Sequence, residues 1–343
     1  MIEILIFTFE RPKYLRRSIN YWSKSKFKII IADGSEHPLK DKLPNNFNYF
    51  HLPKTSLMER TFFLADITKS KYAVFCADDD FHSFDAIKKI YNFLDKNEEY
   101  ASAQGLFLRV GEKKNPKSLI FGMGYSGNIS IDTKKSDLKD EQLLKYMIKF
   151  KFPICYSIMK NSVFKNYVKV FNGVNLKDNQ KKKGITVQLF EDIMPYILFL
   201  SGHYKTLPIF YSMRQNQIQD YRAYYNNELY LNDFFADFVN KNCDDWTIIK
   251  RNLNNLIRKK YNFSFEFKEK DVLANYLETS KINEYFKENN YNSSIGVVKR
   301  ILNHLKINLY ILRKTKFNLI SYISFYNCFK LIKKIVRNND VEQ

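Results

Sequence analysis

The chain has 343 residues, a formal net charge of +20 and a hydrophobic content of 45%. This length and apolar content are enough for one large α/β domain with an appendage, and they exclude a wholly disordered chain. The charge fits an anionic partner such as a nucleotide diphosphate, a lipid-linked phosphate or a membrane surface, but a genome poor in G and C would also enrich lysine.

The cysteines and the N-terminal segment favour a cytoplasmic protein. The four cysteines are far apart and form no CxxC pair, which disfavours a zinc site and a disulfide framework. The apolar N-terminus, MIEILIFTFERP, lacks the basic segment and the cleavage site of a signal peptide, so we expect a strand there. No uncharged apolar run reaches about 18 residues, so no transmembrane helix is expected.

The first part of the chain alternates between apolar strands and helices, which is typical of a mostly parallel sheet with helices on both faces. Helices are expected at Tyr14 to Trp22, from a capping box at Ser56 to about Ser70, and from Ser83 to about Asn97. The expected strands are Ile2 to Phe9, Lys28 to Ala32, Phe47 to Leu52 and Tyr72 to Ala77.

The middle of the chain is less regular, with a polar, lysine-rich loop at 172–184. The strands expected here are Ala101 to Val110, Gly127 to Ile131, Lys205 to Met213 and an edge strand at Cys155 to Met159. The helices expected here are Leu138 to Phe150 and Val187 to Leu200.

The last third of the chain is helical, aromatic and basic in character, with an amphipathic stretch near Val297 to Leu312. We therefore divide the chain into an α/β domain at 1–218 and a helical, basic region at 219–343. The second region is expected to bind an acceptor or to dock on an anionic membrane surface.

Three consecutive aspartates, Asp78, Asp79 and Asp80, follow the apolar strand that ends at Ala77. Ligands of open α/β sheets bind outside the carboxyl ends of the strands, so the triplet lies where a ligand is expected. Adjacent carboxylates repel each other unless a cation lies among them, and Mg²⁺ and Mn²⁺ prefer such oxygen ligands. We expect a Mg²⁺ or Mn²⁺ site here, although a solvated turn that caps the next helix is an alternative.

A second acidic pair, Glu191 and Asp192, interrupts the otherwise apolar helix predicted at Val187 to Leu200. Charged residues are seldom buried without a partner or a task. Partly apolar surroundings raise the pKa of a carboxylate toward a value useful for a general base. The alternative is an ion pair with a lysine of the run Lys181 to Lys183.

Two further segments, Thr8 to Pro12 and Asp33 to Ser35, follow neighbouring predicted strands, where a nucleotide could lie. Asp33 could accept a hydrogen bond from a base N–H, and Arg11 could contact phosphate, although each segment taken alone is an ordinary turn. Arg214 and Arg60 are additional candidates, with a surface role as the alternative for each.

The order of these motifs resembles that of the GT-A glycosyltransferases, in particular the family 2-like enzymes of bacterial surface-polysaccharide synthesis. The similarity covers about residues 1–215. Thr8 to Pro12 resembles the opening T-x-N-R-P of that family, with Glu10 in place of asparagine. Asp33 resembles its nucleobase-contacting aspartate, and Asp78 and Asp80 resemble the outer residues of its D-x-D motif.

This resemblance implies a GT-A fold, which is a Rossmann-like mixed sheet, here with a helical C-terminal extension. It also implies an inverting transfer from a nucleotide-diphosphate sugar, expected to be a UDP-sugar, to a glycan or lipid-linked acceptor hydroxyl in capsule or lipopolysaccharide synthesis. Asp192 would take the acceptor proton beside Glu191, and Asp78 and Asp80 would hold Mn²⁺ or Mg²⁺. The implied donor-binding residues are Thr8, Phe9, Arg11, Asp33, Arg60, Asp78, Asp79 and Arg214.

Two other functions are consistent with parts of the sequence. A metal-dependent sugar nucleotidyltransferase shares the sheet and the acidic site, but such enzymes usually have a glycine-rich stretch where this chain has Arg11-Pro12-Lys13. A basic protein that binds nucleic acid or another polyanion would explain the charge but not a carboxylate triplet at a strand end. We therefore expect no nucleic-acid partner.

Overall fold

The computed structural model describes residues 2–112, 119–121, 131–148, 154–174, 193–216, 244–261, 263, 323, 326–332 and 334–335. In chain order the elements are β1 (Ile2–Thr8), α1 (Pro12–Trp22), β2 (Lys28–Asp33), β3 (Phe47–His51), α2 (Leu57–Ile67), β4 (Tyr72–Ala77), β5 (Phe81–His82), α3 (Phe84–Lys96), β6 (Tyr100–Glu112), β7 (Leu119–Phe121), a 3-10 helix (Thr133–Lys135), α4 (Asp140–Ile148), β8 (Ile158–Lys160), α5 (Asn161–Val170), α6 (193–201), β9 (His203–Asn216), α7 (Asp244–Tyr261) and α8 (326–332, continued at 334–335).

The strands of the described residues form one mixed sheet with the order β3-β2-β1-β4-β8-β6-β9-β5, and β7 pairs with β6 outside this path. The first four strands run parallel to one another. β8 is antiparallel to both β4 and β6, and it separates the parallel half from β6 and β9. This mixed α/β architecture is the predicted GT-A fold.

Local sequence chemistry explains where the helices beside the parallel strands begin. The backbone N–H of Glu59 donates to Ser56 Oγ at 3.1 Å, and the N–H of Ser56 donates to Glu59 Oε2 at 2.8 Å, which completes the predicted capping box of α2. Ser83 accepts the N–H of Ala86 and caps α3 in the same way. α1 begins at Pro12, whose fixed φ suits a first helical position.

The edge strand predicted at Cys155 to Met159 is wrong in both position and extent. Residues 154–157 form a turn closed by a bond from the N–H of Ser157 to the carbonyl of Ile154, and the strand is β8, Ile158–Lys160. β8 lies inside the sheet and not at its edge. A strand of three residues is too short for its alternation to reveal which neighbours it will have. β5 and α5 are additional elements that the sequence did not predict.

Helices cover both faces of the sheet. Leu5 and Phe75 point to one face and pack with the apolar residues of α2, α4, α5, α6 and α7. Ile4 and Val74, one residue away on the same strands, point to the other face and pack with α1, α3 and α8. Because side chains alternate along a strand, both faces of the parallel strands are apolar, which gives the continuous hydrophobic runs seen in the sequence.

The described parts of the tail belong to these two cores. α7 buries four apolar side chains against the first face, namely Trp246, Ile249, Leu253 and Ile257. α8 buries three against the second face, namely Phe329, Ile332 and Ile335. The division at residue 218 stays a prediction, but residues beyond it help to enclose the sheet.

Several predicted segments lie wholly or partly outside the described residues. They are the strand at Gly127 to Ile131 up to residue 130, the loop at 175–184, the first part of the helix at Val187 to Leu200, and the amphipathic stretch near Val297 to Leu312. Within the described part of the chain, no helix combines the length and the apolar character needed to cross a membrane.

The packing of α8 predicts a large effect for Phe329→Ala. Phe329 is buried, and truncation of a core phenylalanine to alanine costs about 3–5 kcal/mol. Tyr326→Ala on the same helix is the matched control, since Tyr326 is 42% exposed and its loss should cost about 1 kcal/mol or less. Urea unfolding followed by circular dichroism measures both. Equal, small effects would show that α8 does not belong to the core of the sheet.

Candidate active site

The carboxyl ends of β1, β2 and β4 bring the predicted site residues together. Thr8 is the register partner of Asp33, and Phe7 is the partner of Ala77 on the other side. Parallel strands that end in register present their following residues at one edge of the sheet. Thr8, Asp33 and Asp78 therefore lie side by side, although 70 residues separate Thr8 from Asp78 in the chain.

Asp78 is the buried carboxylate at the centre of this edge. Its Oδ2 accepts a hydrogen bond from the Thr8 hydroxyl at 2.8 Å, and its Oδ1 lies 2.9 Å from Arg11 Nη1. Burial raises the pKa of Asp78 to about 7, and the Asp79 charge adds to the rise, while Arg11 and the Thr8 hydrogen bond oppose it. The site therefore holds a carboxylate whose ionised form depends on a nearby cation.

Arg11 supplies that cation and also contacts the second aspartate. Its Nη2 lies 3.0 Å from Asp79 Oδ2, so one guanidinium spans two carboxylates. The guanidinium carbon also lies 4.4 Å from the centre of the Tyr14 ring, within cation–π range. Two neighbouring carboxylates are thus held by one planar, permanently charged group.

Glu10 sets the path of the chain into Arg11. Its φ of 53° lies in the left-handed region, which costs about 1 kcal/mol for an ordinary residue but which asparagine tolerates. The N–H of Glu10 donates to Ser35 Oγ, and its Oε1 accepts the N–H of Glu36, so the strained residue joins the loops after β1 and β2. This conformation explains why a residue of the asparagine type suits this position in the motif that the sequence resembles.

Asp80 occupies the end of the turn after β4 and lies opposite Arg214. The N–H of Asp80 donates to the carbonyl of Ala77, which closes the turn. The antiparallel pairing of β5 with β9 aligns Phe81 with Met213 and so brings Asp80 Oδ2 to 3.8 Å from Arg214 Nη1. The sequence placed Arg214 just after a strand, whereas the structure places it within β9, which extends to Asn216.

Asp33 is held by two hydrogen bonds. Its Oδ1 accepts the N–H of Ser35 at 2.9 Å, and its Oδ2 accepts the hydroxyl of Tyr49 at 2.7 Å. The same Tyr49 oxygen accepts the N–H of Leu39, and burial is the main reason that the pKa of Tyr49 rises to about 12. Tyr49 was not predicted from the sequence, because the sequence pattern of β3 does not show that this side chain contacts Asp33 at the end of β2.

Arg60 is buried below this edge, and its guanidinium donates hydrogen bonds to backbone carbonyl groups. Its Nη1 donates to the carbonyl of Thr8, its Nε donates to the carbonyl of Ser56 at 3.3 Å, and its guanidinium lies 5.6 Å from the Phe9 ring centre. A Cβ on Gly34 would lie 2.6 Å from Arg60 Nη1, so only glycine leaves room for the arginine. These contacts support the loops after β1 and β2 from beneath.

His82 and Cys76 lie under the acidic triplet in apolar surroundings. The His82 ring stacks on Tyr211 with ring centres 4.7 Å apart, and its Nε2 donates to the carbonyl of Phe75. Burial lowers the pKa of His82 to about 4, so its ring is neutral near pH 7. Burial likewise raises the pKa of the Cys76 thiol, which makes this cysteine a packed and unreactive group.

The predicted pair Glu191 and Asp192 lies outside the described residues. The described part of the helix α6, which follows at 193–201, is mostly buried, with Ile193, Met194 and Ile197 all in the core. The proton-accepting role of Asp192 therefore stays a prediction.

The acidic triplet has the oxygen chemistry that a divalent cation shared with a substrate would need. Among the described residues there is no group of three or more His, Cys, Asp or Glu side chains that would hold a metal on its own. The triplet nonetheless presents hard carboxylate oxygens at a strand end. Mg²⁺ is usually held in this way, by one or two carboxylates together with substrate phosphates. Asp78 and Asp80 are the residues that would hold it.

The comparison with protein families gives one match. Residues 3–167 match the family described as glycosyl transferase family 2. The matched segment contains β1, β2, β4 and the acidic triplet, whereas Asp192 and Arg214 lie beyond it. No curated protein is significantly similar to the sequence.

Solved structures with a distant similarity include forms of TarS from S. aureus. TarS itself is 13% identical with a TM-score of 0.41, and the match covers 77% of this chain and 44% of TarS. TarS 1-349 is 11% identical with a TM-score of 0.46 over 100% of this chain and 92% of that one. TarS 1-349 in complex with UDP-GlcNAc is 13% identical with a TM-score of 0.45 over 77% and 73%. Such values are too low to transfer a ligand or a residue role.

The family match covers the mixed sheet and the acidic edge that the structure brings together. Residues 3–167 therefore belong to a glycosyltransferase domain of the family 2 type, and the described sheet has the GT-A fold.

Proposed function

We propose that this glycosyltransferase takes a sugar from a nucleotide-diphosphate sugar, in the first instance a UDP-sugar, and adds it to a hydroxyl of a glycan or lipid-linked acceptor. One observation supports the proposal above all others. Three carboxylates at the carboxyl ends of parallel strands are flanked by Arg11 and Arg214. This edge is where open α/β sheets bind ligands, and it offers both anionic and cationic groups to a metal-bound diphosphate.

The base of the donor would lie beside Asp33. Both carboxylate oxygens of Asp33 already accept one hydrogen bond, from the Ser35 N–H and the Tyr49 hydroxyl. Each carboxylate oxygen can accept two, so Asp33 keeps the capacity to accept from a base N–H. Because both of its internal partners are donors, Asp33 acts as an acceptor, and this suits a base edge that presents an N–H.

The diphosphate would lie over the triplet, between the two arginines. Arg11 lies 2.9 Å from Asp78 and Arg214 lies 3.8 Å from Asp80, and a guanidinium binds phosphate through paired N–H groups. Mn²⁺ or Mg²⁺ on Asp78 and Asp80 would neutralise charge on the departing nucleotide diphosphate. Thr8 and Phe9 would line the floor of the nucleotide site, with Arg60 below them.

The transfer would be a single displacement with inversion. The acceptor oxygen forms a bond to the anomeric carbon while the bond from that carbon to the diphosphate oxygen breaks. Asp192 takes the acceptor proton, and the nucleotide diphosphate leaves with the electron pair of the broken bond. A general base of this kind contributes about 10²–10⁴-fold in rate.

The setting we propose is the synthesis of a capsule or lipopolysaccharide type of glycan, with one sugar added per encounter. The net charge of +20 would favour contact with an anionic membrane, near which each Lys or Arg gains about 1 kcal/mol. A sugar nucleotidyltransferase is the alternative that the sequence left open, and the family match argues against it. Release of free UDP from a UDP-sugar in the presence of Mn²⁺ distinguishes the two, since a nucleotidyltransferase exchanges a nucleoside monophosphate and produces no UDP.

Asp80→Ala should abolish the Mn²⁺ dependence of UDP binding. The variant removes a carboxylate from the proposed metal site, and the loss should exceed that of a single neutral hydrogen bond, about 1 kcal/mol. Isothermal titration with UDP, with and without Mn²⁺, measures the effect. Asp41→Ala is the control, because Asp41 is exposed and pairs only at the surface with Arg16. An Asp80 variant that retains full Mn²⁺-dependent binding would contradict the metal assignment.

Asp33→Ala should weaken UDP binding by about 1.5–3 kcal/mol, the value of a hydrogen bond to a charged group. Tyr49→Phe should weaken UDP binding by about 1 kcal/mol or less, because the substitution keeps the Asp33 carboxylate but removes the hydrogen bond that orients it. Tyr72→Phe is the matched control, since the Tyr72 hydroxyl donates to the carbonyl of Leu94 from the other end of β4. Unchanged UDP affinity in the Asp33 variant would leave this residue with a purely structural role in its turn.

Asp192→Asn should lower kcat by about 10²-fold or more and leave donor affinity nearly unchanged. The substitution preserves size but removes the proton acceptor, and the acceptor proton moves only in the transition state. Glu191→Gln is the neighbouring control and should have a milder effect. If the glutamine variant is inactive and the asparagine variant active, the base is Glu191. If both variants are active, neither residue is the catalytic base.

A further inference from the structure

Arg11 holds Asp78, one of the two carboxylates assigned to the metal, together with the neighbouring Asp79. Its two terminal nitrogens lie 2.9 Å from Asp78 Oδ1 and 3.0 Å from Asp79 Oδ2. The side chains of Asp78 and Asp79 are only 2% and 12% exposed, so water can do little to stabilise their charges. Arg11 is therefore a counter-ion that the two carboxylates share.

A guanidinium and a divalent cation compete for the same carboxylate oxygens. Arginine keeps its charge at every accessible pH, so it cannot give way by losing a proton. Two like charges among buried carboxylates repel each other strongly, since the surrounding dielectric constant is low. A metal ion therefore binds Asp78 weakly while Arg11 is in place, and more tightly once Arg11 has moved to another anion.

A diphosphate is an anion that can receive Arg11. Arg11 lies one residue before α1, and its side chain is 24% exposed although Nε and Nη2 are buried, so the guanidinium reaches the carboxylates from the loop between β1 and α1. Phosphate oxygens match the paired N–H groups of a guanidinium at least as well as carboxylates do. The Tyr14 ring at 4.4 Å offers a surface along which the planar group can turn.

We propose that Arg11 is a transferable counter-ion, which neutralises Asp78 and Asp79 until a nucleotide diphosphate takes its guanidinium and frees Asp78 for the metal. The inference rests on the proposed function, and it adds an order to the binding events. Metal alone binds weakly, metal and diphosphate bind together, and loss of the diphosphate restores the Arg11 contacts. The site thus avoids holding a metal ion when no donor is present.

This arrangement requires a coupling between the two ligands. If UDP raises the affinity for Mn²⁺ by some factor, Mn²⁺ must raise the affinity for UDP by the same factor. Part of the coupling comes from direct contact between metal and phosphate and would survive without Arg11. The part that Arg11 contributes appears as a penalty on metal binding in the absence of nucleotide, and removal of Arg11 abolishes that penalty.

The test is the affinity for Mn²⁺ alone, measured by electron paramagnetic resonance of free Mn²⁺ in titrations of Arg11→Gln, Arg16→Gln and the unaltered protein. Arg11→Gln should bind Mn²⁺ at least about 10-fold more tightly than the unaltered protein, within the range of typical coupling factors of about 5–150. Arg16→Gln should not differ from the unaltered protein, since Arg16 is exposed on α1, the helix that follows Arg11, and pairs with Asp41.

A second titration, in saturating UDP, measures the factor by which UDP raises Mn²⁺ affinity. That factor should be smaller in Arg11→Gln than in the unaltered protein. Arg11→Lys keeps the charge but loses the planar fork, and it should restore most of the penalty on metal binding. Circular dichroism of each variant establishes that it is folded.

Equal or weaker Mn²⁺ binding by folded Arg11→Gln would overturn the inference and leave the proposed function intact. The two hypotheses fail in different measurements. If the unaltered protein binds no UDP in the presence of Mn²⁺, the proposed donor is wrong. The effect of Arg11 on the affinity for Mn²⁺ is measured without nucleotide. It therefore tests the counter-ion role of Arg11 independently of the proposed donor.

Discussion

The negative charge of a buried carboxylate at the end of β4 has to be compensated, and the surrounding structure provides that compensation. Asp78 receives the Thr8 hydroxyl from β1 and the Arg11 guanidinium from the loop that follows. Without these partners burial would favour the neutral acid, and even with them its pKa is about 7. The parallel register of β1 and β4 is therefore tied to the electrostatics of the site.

The loops around this charge are fixed by contacts from below and from the side. Arg60 donates to the backbone of Thr8 and occupies the space that Gly34 leaves open. Glu10, in a left-handed conformation, links the loop after β1 to Ser35 in the loop after β2. Local strain at a functional edge is tolerated because neighbouring contacts hold the conformation. The result is a pre-formed floor beneath the two arginines.

The same helices that enclose the sheet also explain the role of the tail in stability. α7 and α8 come from the part of the chain that the sequence assigned to a separate basic region, yet they bury apolar side chains against opposite faces of the sheet. Each sheet face needs apolar cover over its whole width, and the helices from the first 218 residues do not provide all of it. A boundary drawn from composition therefore need not mark an independent folding unit.

The sequence by itself determined the strands and helices of the parallel half, because continuous apolar runs and capping residues act over a few neighbouring positions. It also determined that Asp33 and the triplet follow strands, and this was enough to place them at one edge of the sheet. It did not determine the contacts of Asp78 with Arg11, of Asp80 with Arg214 or of Asp33 with Tyr49. It also gave the wrong place to β8, whose three residues contain too little pattern to show that they lie inside the sheet. Only the tertiary structure decided these features, since an ion pair or a strand pairing between distant residues depends on how the whole chain closes around its core.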